Sequence, residues 1–116
     1  MNYSRGEIVW VKFPFSDAAT SKLRPALIIS NNLVNRTGDY LLMQITSRLR
    51  SDGLSFAIKE ADYTGSPLLK QSELRLHKIF IINESLITGG ITNVSVSFIK
   101  TVTYELMKLL SEEVSK

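Results

Sequence analysis

Residues 5–13 read Arg5-Gly6-Glu7-Ile8-Val9-Trp10-Val11-Lys12-Phe13, and this stretch decides the fold class. β-Branched and aromatic residues crowd Gly6–Phe13 and Pro14 follows at once, so the segment reads as a strand closed by a breaker. Alternation along a strand puts Ile8 and Trp10 on one face and Val9 and Val11 on the other. With apolar groups on both faces, the strand belongs inside a sheet or beneath a partner.

Outward from that strand, Pro14–Leu23 (PFSDAATSKL) has no period and reads as a long exposed loop. Arg24-Pro25 then opens the short apolar run Ala26–Ser30, a buried strand. Pro25 biases its predecessor toward extended backbone, which sets Arg24 where loop becomes strand. Asn31-Asn32 and Thr37-Gly38-Asp39 punctuate the next connection. Tyr40–Thr46 alternates, with Leu41, Met43 and Ile45 as the better core face and Tyr40, Leu42, Gln44 and Thr46 opposite. Thr46 is therefore expected to point out of the core at the strand's end.

Ser51-Asp52-Gly53 reads as a turn, and Leu54–Ile58, Leu68–Leu76 and Ile79–Ile82 as strands, before a turn at Gly89-Gly90. After Ser95 the period changes: Ile99, Val102, Leu106, Leu109 and Leu110 recur at helical spacing. Ser95 is a suitable N-cap for a helix running to about Glu112. Five to seven short strands and one terminal helix describe a mainly β, barrel-like domain with a helix laid on it, spanning 1–116 as one unit.

The composition restricts the chemistry. Zero cysteines exclude disulfides, thiolate catalysis and Cys-based metal sites, and a single histidine excludes paired-imidazole chemistry. No glycine-rich phosphate loop, HExxH, GxSxG or EF-hand pattern occurs, and the carboxylates fall at spacings that suggest no metal clamp. No cofactor is expected. His77, in a strand-like run, reads as a packed or surface residue. The N-terminus lacks the apolar core of a secretory signal, and no apolar run approaches the ~18 residues of a membrane span. A cytoplasmic location is the resulting expectation.

Net charge is +3, and it is unevenly spread. Between Lys22 and Arg50 stand Lys22, Arg24, Arg36, Arg48 and Arg50 against Asp39 alone, a footprint that suits a polyanion or a merely solvated surface. The polar residues that flank apolar strands are Arg24, Thr46-Ser47-Arg48, and Lys70, Ser72 and Arg75 on a third segment. Lys70 and Ser72 share a side if that segment is extended. A guanidinium offers a planar fork for phosphate, and hydroxyls donate to its oxygens. Converging strand ends would make a metal-free phosphate cleft; ends that stay apart would make only a charged rim.

Arg5–Val11 followed by Phe13-Pro14-Phe15-Ser16-Asp17 resembles the MazF/PemK toxin family. Ser21–Ser30 looks like that family's second signature, Ile45-Thr46-Ser47 its third, and Leu68–Ser72 with Arg75–Lys78 the matching stretch of its PemK-like branch. The resemblance implies an SH3-like barrel with a C-terminal helix, usually a homodimer. It further implies a type II toxin, held in check by a cognate antitoxin protein, that cuts single-stranded RNA, chiefly messenger RNA, without metal. In that chemistry the RNA's 2′-hydroxyl attacks the adjacent phosphate, leaving a 2′,3′-cyclic phosphate and a 5′-hydroxyl.

By the same resemblance Arg24 and Thr46 match the family's catalytic arginine and threonine. Lys22, Ser47, Arg48, Lys70, Ser72 and Arg75 are candidate RNA contacts, and Tyr40 and Phe15 candidate stacking partners for bases. Lys70 and Ser72 stand where some members carry arginine and aspartate, and the first loop lacks the histidine or glutamate of others. The general base is thus open between Asp17 and Glu73. Two other functions fit the same fold: a toxin directed at a protein, like the CcdB gyrase poisons, or an RNA-binding barrel that does not cleave.

Overall fold

The computed structural model describes residues 2–13 and 22–112; the expected 14–23 loop, with Phe15 and Asp17, falls almost wholly outside them. Strand β1 (Glu7–Lys12) is followed by β2 (Leu23–Ile28), the short helix α1 (Asn32–Asn35) and β3 (Asp39–Thr46). Then come β4 (Ser55–Ile58), β5 (Ser72–Asn83), β6 (Ile87–Asn93) and helix α2 (Val96–Leu110). The strands form one antiparallel sheet in the order β4-β5-β3-β2-β1-β6.

The sheet curls without closing into a full barrel. Its two ends approach through a single bridge, Tyr63–Val94, flanked by Thr64 N–H to Asn93 O at 2.9 Å and Ser95 N–H to Asp62 O at 2.8 Å. Strand β1 lies between β2 and β6, and each of its faces feeds a different apolar cluster. Ile8 joins Leu27, Met43, Ile45, Leu74 and Leu76, sealed by Phe98, Ile99 and Val102 of α2. Val9 and Val11 join Ala26, Ile28, Tyr40, Leu42 and Ile82. This explains the two-faced apolar pattern of the first strand.

Four expectations need correction. First, β3 buries both faces: Tyr40 and Leu42 are as fully buried as Met43, while Leu41 is only half-buried. Tyr40 donates its hydroxyl to Glu84 Oε1 at 2.8 Å inside the second cluster, so it is not a platform for bases. Second, the two runs around 68–82 are one strand, Ser72–Asn83. Between the pairs Met43–Ile79 and Ile45–Leu74 it spends four residues where β3 spends one, a bulge that bends β5 so that it serves both clusters. Third, Gly89 and Gly90 lie within β6, opposite Trp10 and Val9. The Glu7 carboxylate lies over Gly90, where a Cβ would push that flexible side chain aside. Fourth, the Asn31–Thr37 connection contains α1, capped by Asn31.

Helix α2 is capped as its sequence implies, with Ser95 Oγ accepting the Phe98 N–H at 3.1 Å. Its inner stripe is Phe98, Ile99 and Val102, whereas Leu109 and Leu110 are exposed. No helix among the described residues is long and apolar enough to cross a membrane.

Candidate functional site

In an antiparallel sheet the end of one strand lies beside the start of the next. The close of β1, the start of β2, the close of β3 and the start of β5 therefore meet at one edge of the curled sheet. There a cleft of about 520 Å³ opens, lined among others by Trp10, Arg24, Thr46, Ser47, Lys70 and Ser72. Arg24, Thr46, Ser47, Lys70 and Ser72, singled out along the sequence, are thus brought together.

Register orders the central pair. Ala26 stands opposite Gln44. Two residues further on, Arg24 and Thr46 point to the same face of the sheet as that pair. Thr46 is in turn opposite Glu73 across β3 and β5. Arg24 and Thr46 both line the cleft, and Glu73 stands across the strand pair from Thr46. Thr46 Oγ1 accepts the Arg48 N–H at 3.0 Å, and Glu73 Oε1 accepts the Arg50 N–H at 3.1 Å. These two bonds tie down the loop that leaves β3.

Lys70 and Ser72 both line the cleft, but not as alternate residues of one strand: β5 begins at Ser72, and Lys70 sits in a bend. The Ser72 hydroxyl, almost fully buried, donates to Lys70 O at 2.9 Å and so fixes that bend. Ser72 is therefore positioned to hold Lys70 rather than to reach outward. Arg75 is likewise withdrawn from this cleft: it is 7% exposed, pairs with Asp52 at 3.0 Å and donates to Ser55 Oγ at 2.6 Å. Lys22 and Arg48 are exposed and lie outside the cleft lining. Asp17 lies outside the described residues.

The ionisable side chains of the cleft lining are Arg24 and Lys70, so its charge among the described residues is cationic. Its walls are apolar: Leu23, Pro25, Pro67, Leu68, Leu69 and the indole of Trp10. Trp10, 39% exposed, was missed as a site residue because its strand reads as core. The sequence signal was its place in line with Ile8 but one step closer to the strand's end. A cationic, hydroxyl-bearing floor beneath apolar and aromatic walls suits a flexible anion that carries flat rings. His77 is exposed and is not part of this cleft.

Comparison with known proteins shows the family and the fold. Residues 4–110 match the family model described as PemK-like, MazF-like toxin of type II toxin-antitoxin system. A search of curated protein sequences returned no match. Among solved structures, an endoribonuclease in complex with its cognate antitoxin from a mycobacterial species superposes with TM-score 0.77 at 19% identity, covering 97% of this chain and 99% of that one. A MazE–MazF complex from Deinococcus radiodurans gives TM-score 0.75 at 18% identity over 95% and 97% of the two chains. The Mycobacterium tuberculosis toxin MazF-mt6 gives 0.68 at 15% identity over 89% and 93%. At such identities the structures share the fold with this chain. The family match spans nearly the whole sequence, and the chain belongs to the PemK-like, MazF-like toxins of type II toxin-antitoxin systems.

Proposed function

We propose that the chain, as one toxin domain, is an endoribonuclease that cleaves single-stranded messenger RNA without metal and is neutralised by a cognate antitoxin. The observation that carries this reading is that Arg24 and Thr46, at neighbouring strand ends, line one cationic cleft with an exposed indole. The endoribonuclease names of the mycobacterial relatives support it.

The reaction needs no protein nucleophile. A ribose 2′-oxygen forms a bond to the adjacent phosphorus as the bond from phosphorus to the 5′-oxygen breaks, and the 2′-proton leaves while a proton reaches the departing oxygen. Arg24 offsets charge that grows on the phosphoryl oxygens, or protonates the leaving 5′-oxygen, and Thr46 orients the phosphate by donating its hydroxyl hydrogen. Glu73, beside Thr46 in the sheet, is the carboxylate we assign as base, with Asp17 as the alternative. Trp10 stacks on a splayed base, and Lys70 and Ser47 hold neighbouring backbone. A homodimer is part of the proposal, since α2 leaves Tyr104, Met107 and Leu110 exposed.

The test is incubation of a long single-stranded RNA with purified protein in EDTA, beside Arg24→Ala, with mapping of the new ends. Cyclic-phosphate ends from the wild type alone support the reaction and its key residue together. RNA that is bound but left intact points to a non-cleaving RNA-binding barrel. RNA neither bound nor cut points to a protein-directed toxin.

A further inference from the structure

A second concavity, of about 280 Å³, lies against Thr46 and is lined by Gln44, Thr46, Arg50, Arg75, His77 and Lys78. It lies at the β5 bulge: the extra residues between Leu74 and Ile79 interrupt the partner position of Gln44, with His77 and Lys78 exposed and Arg75 buried beside them. No apolar side chain lines it, so it offers nothing to a base or an acyl chain and much to an anion.

The charges there are not all spent. Asp52 pairs with Arg75, and Glu73 accepts the Arg50 backbone N–H rather than its guanidinium. Among the described residues, Arg50 and Lys78 have no carboxylate within ion-pair distance, and both are exposed beside exposed His77. Arg75 is different: Asp52 and Ser55 hold its guanidinium in place as a fixed wall. Thr46 lines both this concavity and the first cleft.

We infer that this concavity is a second phosphate subsite, which takes a backbone phosphate of the same RNA strand whose scissile phosphate lies at Thr46 and Arg24. The inference rests on the proposed ribonuclease reading. A strand that passes over Thr46 meets aromatic and apolar walls on one side and Arg50, His77 and Lys78 on the other. The first cleft then takes bases as well as backbone, and the second grips backbone alone. Binding in the second should accordingly be indifferent to sequence.

The experiment titrates a fluorescein-labelled single-stranded RNA, fully 2′-O-methylated so that it cannot be cut, with the full chain at several salt concentrations. Wild type is compared with the doubly substituted Arg50→Gln/Lys78→Gln chain and with Arg36→Gln, which removes an exposed charge from the far side of β2 and β3. The expected result is that the double variant binds several-fold more weakly on every sequence tried. Its slope of log affinity against log salt should shrink by about 0.7 for each phosphate that is no longer neutralised, with Arg36→Gln unchanged. A double variant that matches Arg36→Gln in slope and affinity, while wild type binds and cleaves unmodified RNA, overturns the subsite and leaves the ribonuclease reading standing. A wild type that neither binds nor cleaves RNA overturns both.

Discussion

The Thr46 hydroxyl oxygen accepts the Arg48 N–H at 3.0 Å, which engages one of that oxygen's lone pairs and leaves its hydrogen to be donated. A donor fixed before the substrate arrives has no reorganisation to undergo at the transition state. Thr46→Val keeps the branched shape but removes the donor and should lower cleavage about 10²–10³-fold, in the range measured for a lost oxyanion donor. Thr46→Ser should retain most of the rate. Single-turnover cleavage of a defined RNA measures both, and equal rates for the Val and Ser variants would remove Thr46 from the reaction.

Glu73 has two oxygens and two proposed tasks. One oxygen accepts the Arg50 N–H at 3.1 Å, and the carboxylate stands across the strand pair from Thr46. Glu73→Gln keeps an amide oxygen for the tether but no longer takes a proton. The expected outcome is an unchanged melting temperature and a fall in kcat of about 10²–10⁴, the usual worth of a general base. An undiminished kcat would transfer the role to Asp17.

Trp10 is the only tryptophan, so its emission reports on the cleft without labelling. Single-stranded RNA should quench it on binding. Trp10→Ala should weaken binding by about 1–3 kcal/mol, the range for a base stacked on an aromatic ring. Because the side chain is 39% exposed, little of the apolar core goes with it. Trp10→Phe should recover part of the affinity. Quenching in the wild type with undiminished affinity in Trp10→Ala would place the indole near the RNA but not against it.

The sequence carried the outline of this site because its signals are local. Arg24 before Pro25 marks a strand entrance whatever the rest of the chain does, and Ser95 before the Ile99–Leu110 pattern marks a helix. What escaped it depends on partners distant in sequence. Tyr40 and Trp10 both look like strand aromatics, yet one is sealed by Ile82, Leu42 and Tyr3 and the other is left open at the cleft. The β5 bulge, which withdraws Arg75 and projects His77 and Lys78, is set by how β5 must bend to serve two clusters, and no residue in 75–78 announces it. Gly89-Gly90 misled because a glycine pair reads as a turn, whereas here both residues lie within β6 opposite Trp10 and Val9.

Arg75 and Asp52 make a pH-dependent clasp on the loop between β3 and β4. The Asp52 carboxyl is held below its ordinary pKa, first by the Leu54 N–H that donates to it at 3.0 Å and then by Arg75. A depressed carboxylate pKa adds stability that is complete above the unfolded value and is lost as pH falls through the folded one. The loss should therefore begin near pH 4, about the ordinary value for aspartate, and continue below it. Thermal melts of wild type and Asp52→Asn should differ at neutral pH, with the wild type higher, and converge on acidification. Parallel curves down to the acid end would show that the clasp is not linked to protonation of Asp52.

Helix α2 presents Tyr104, Met107 and Leu110 at three-residue spacing, 63%, 61% and 75% exposed. Three large apolar groups in a row on one helix have little reason to face water, and a second copy of the chain can cover them. Because these side chains contribute nothing to either apolar cluster, Met107→Glu with Leu110→Glu should leave the monomer's fold intact. Light scattering at micromolar concentration should then report a dimer for wild type and a monomer for the double variant, with far-UV circular dichroism unchanged. Like charges brought face to face add repulsion where apolar burial had held the copies together, so the change should be all or nothing over the accessible concentration range. A wild-type monomer would refute the homodimer, and a double variant that stays dimeric would move its interface to another surface.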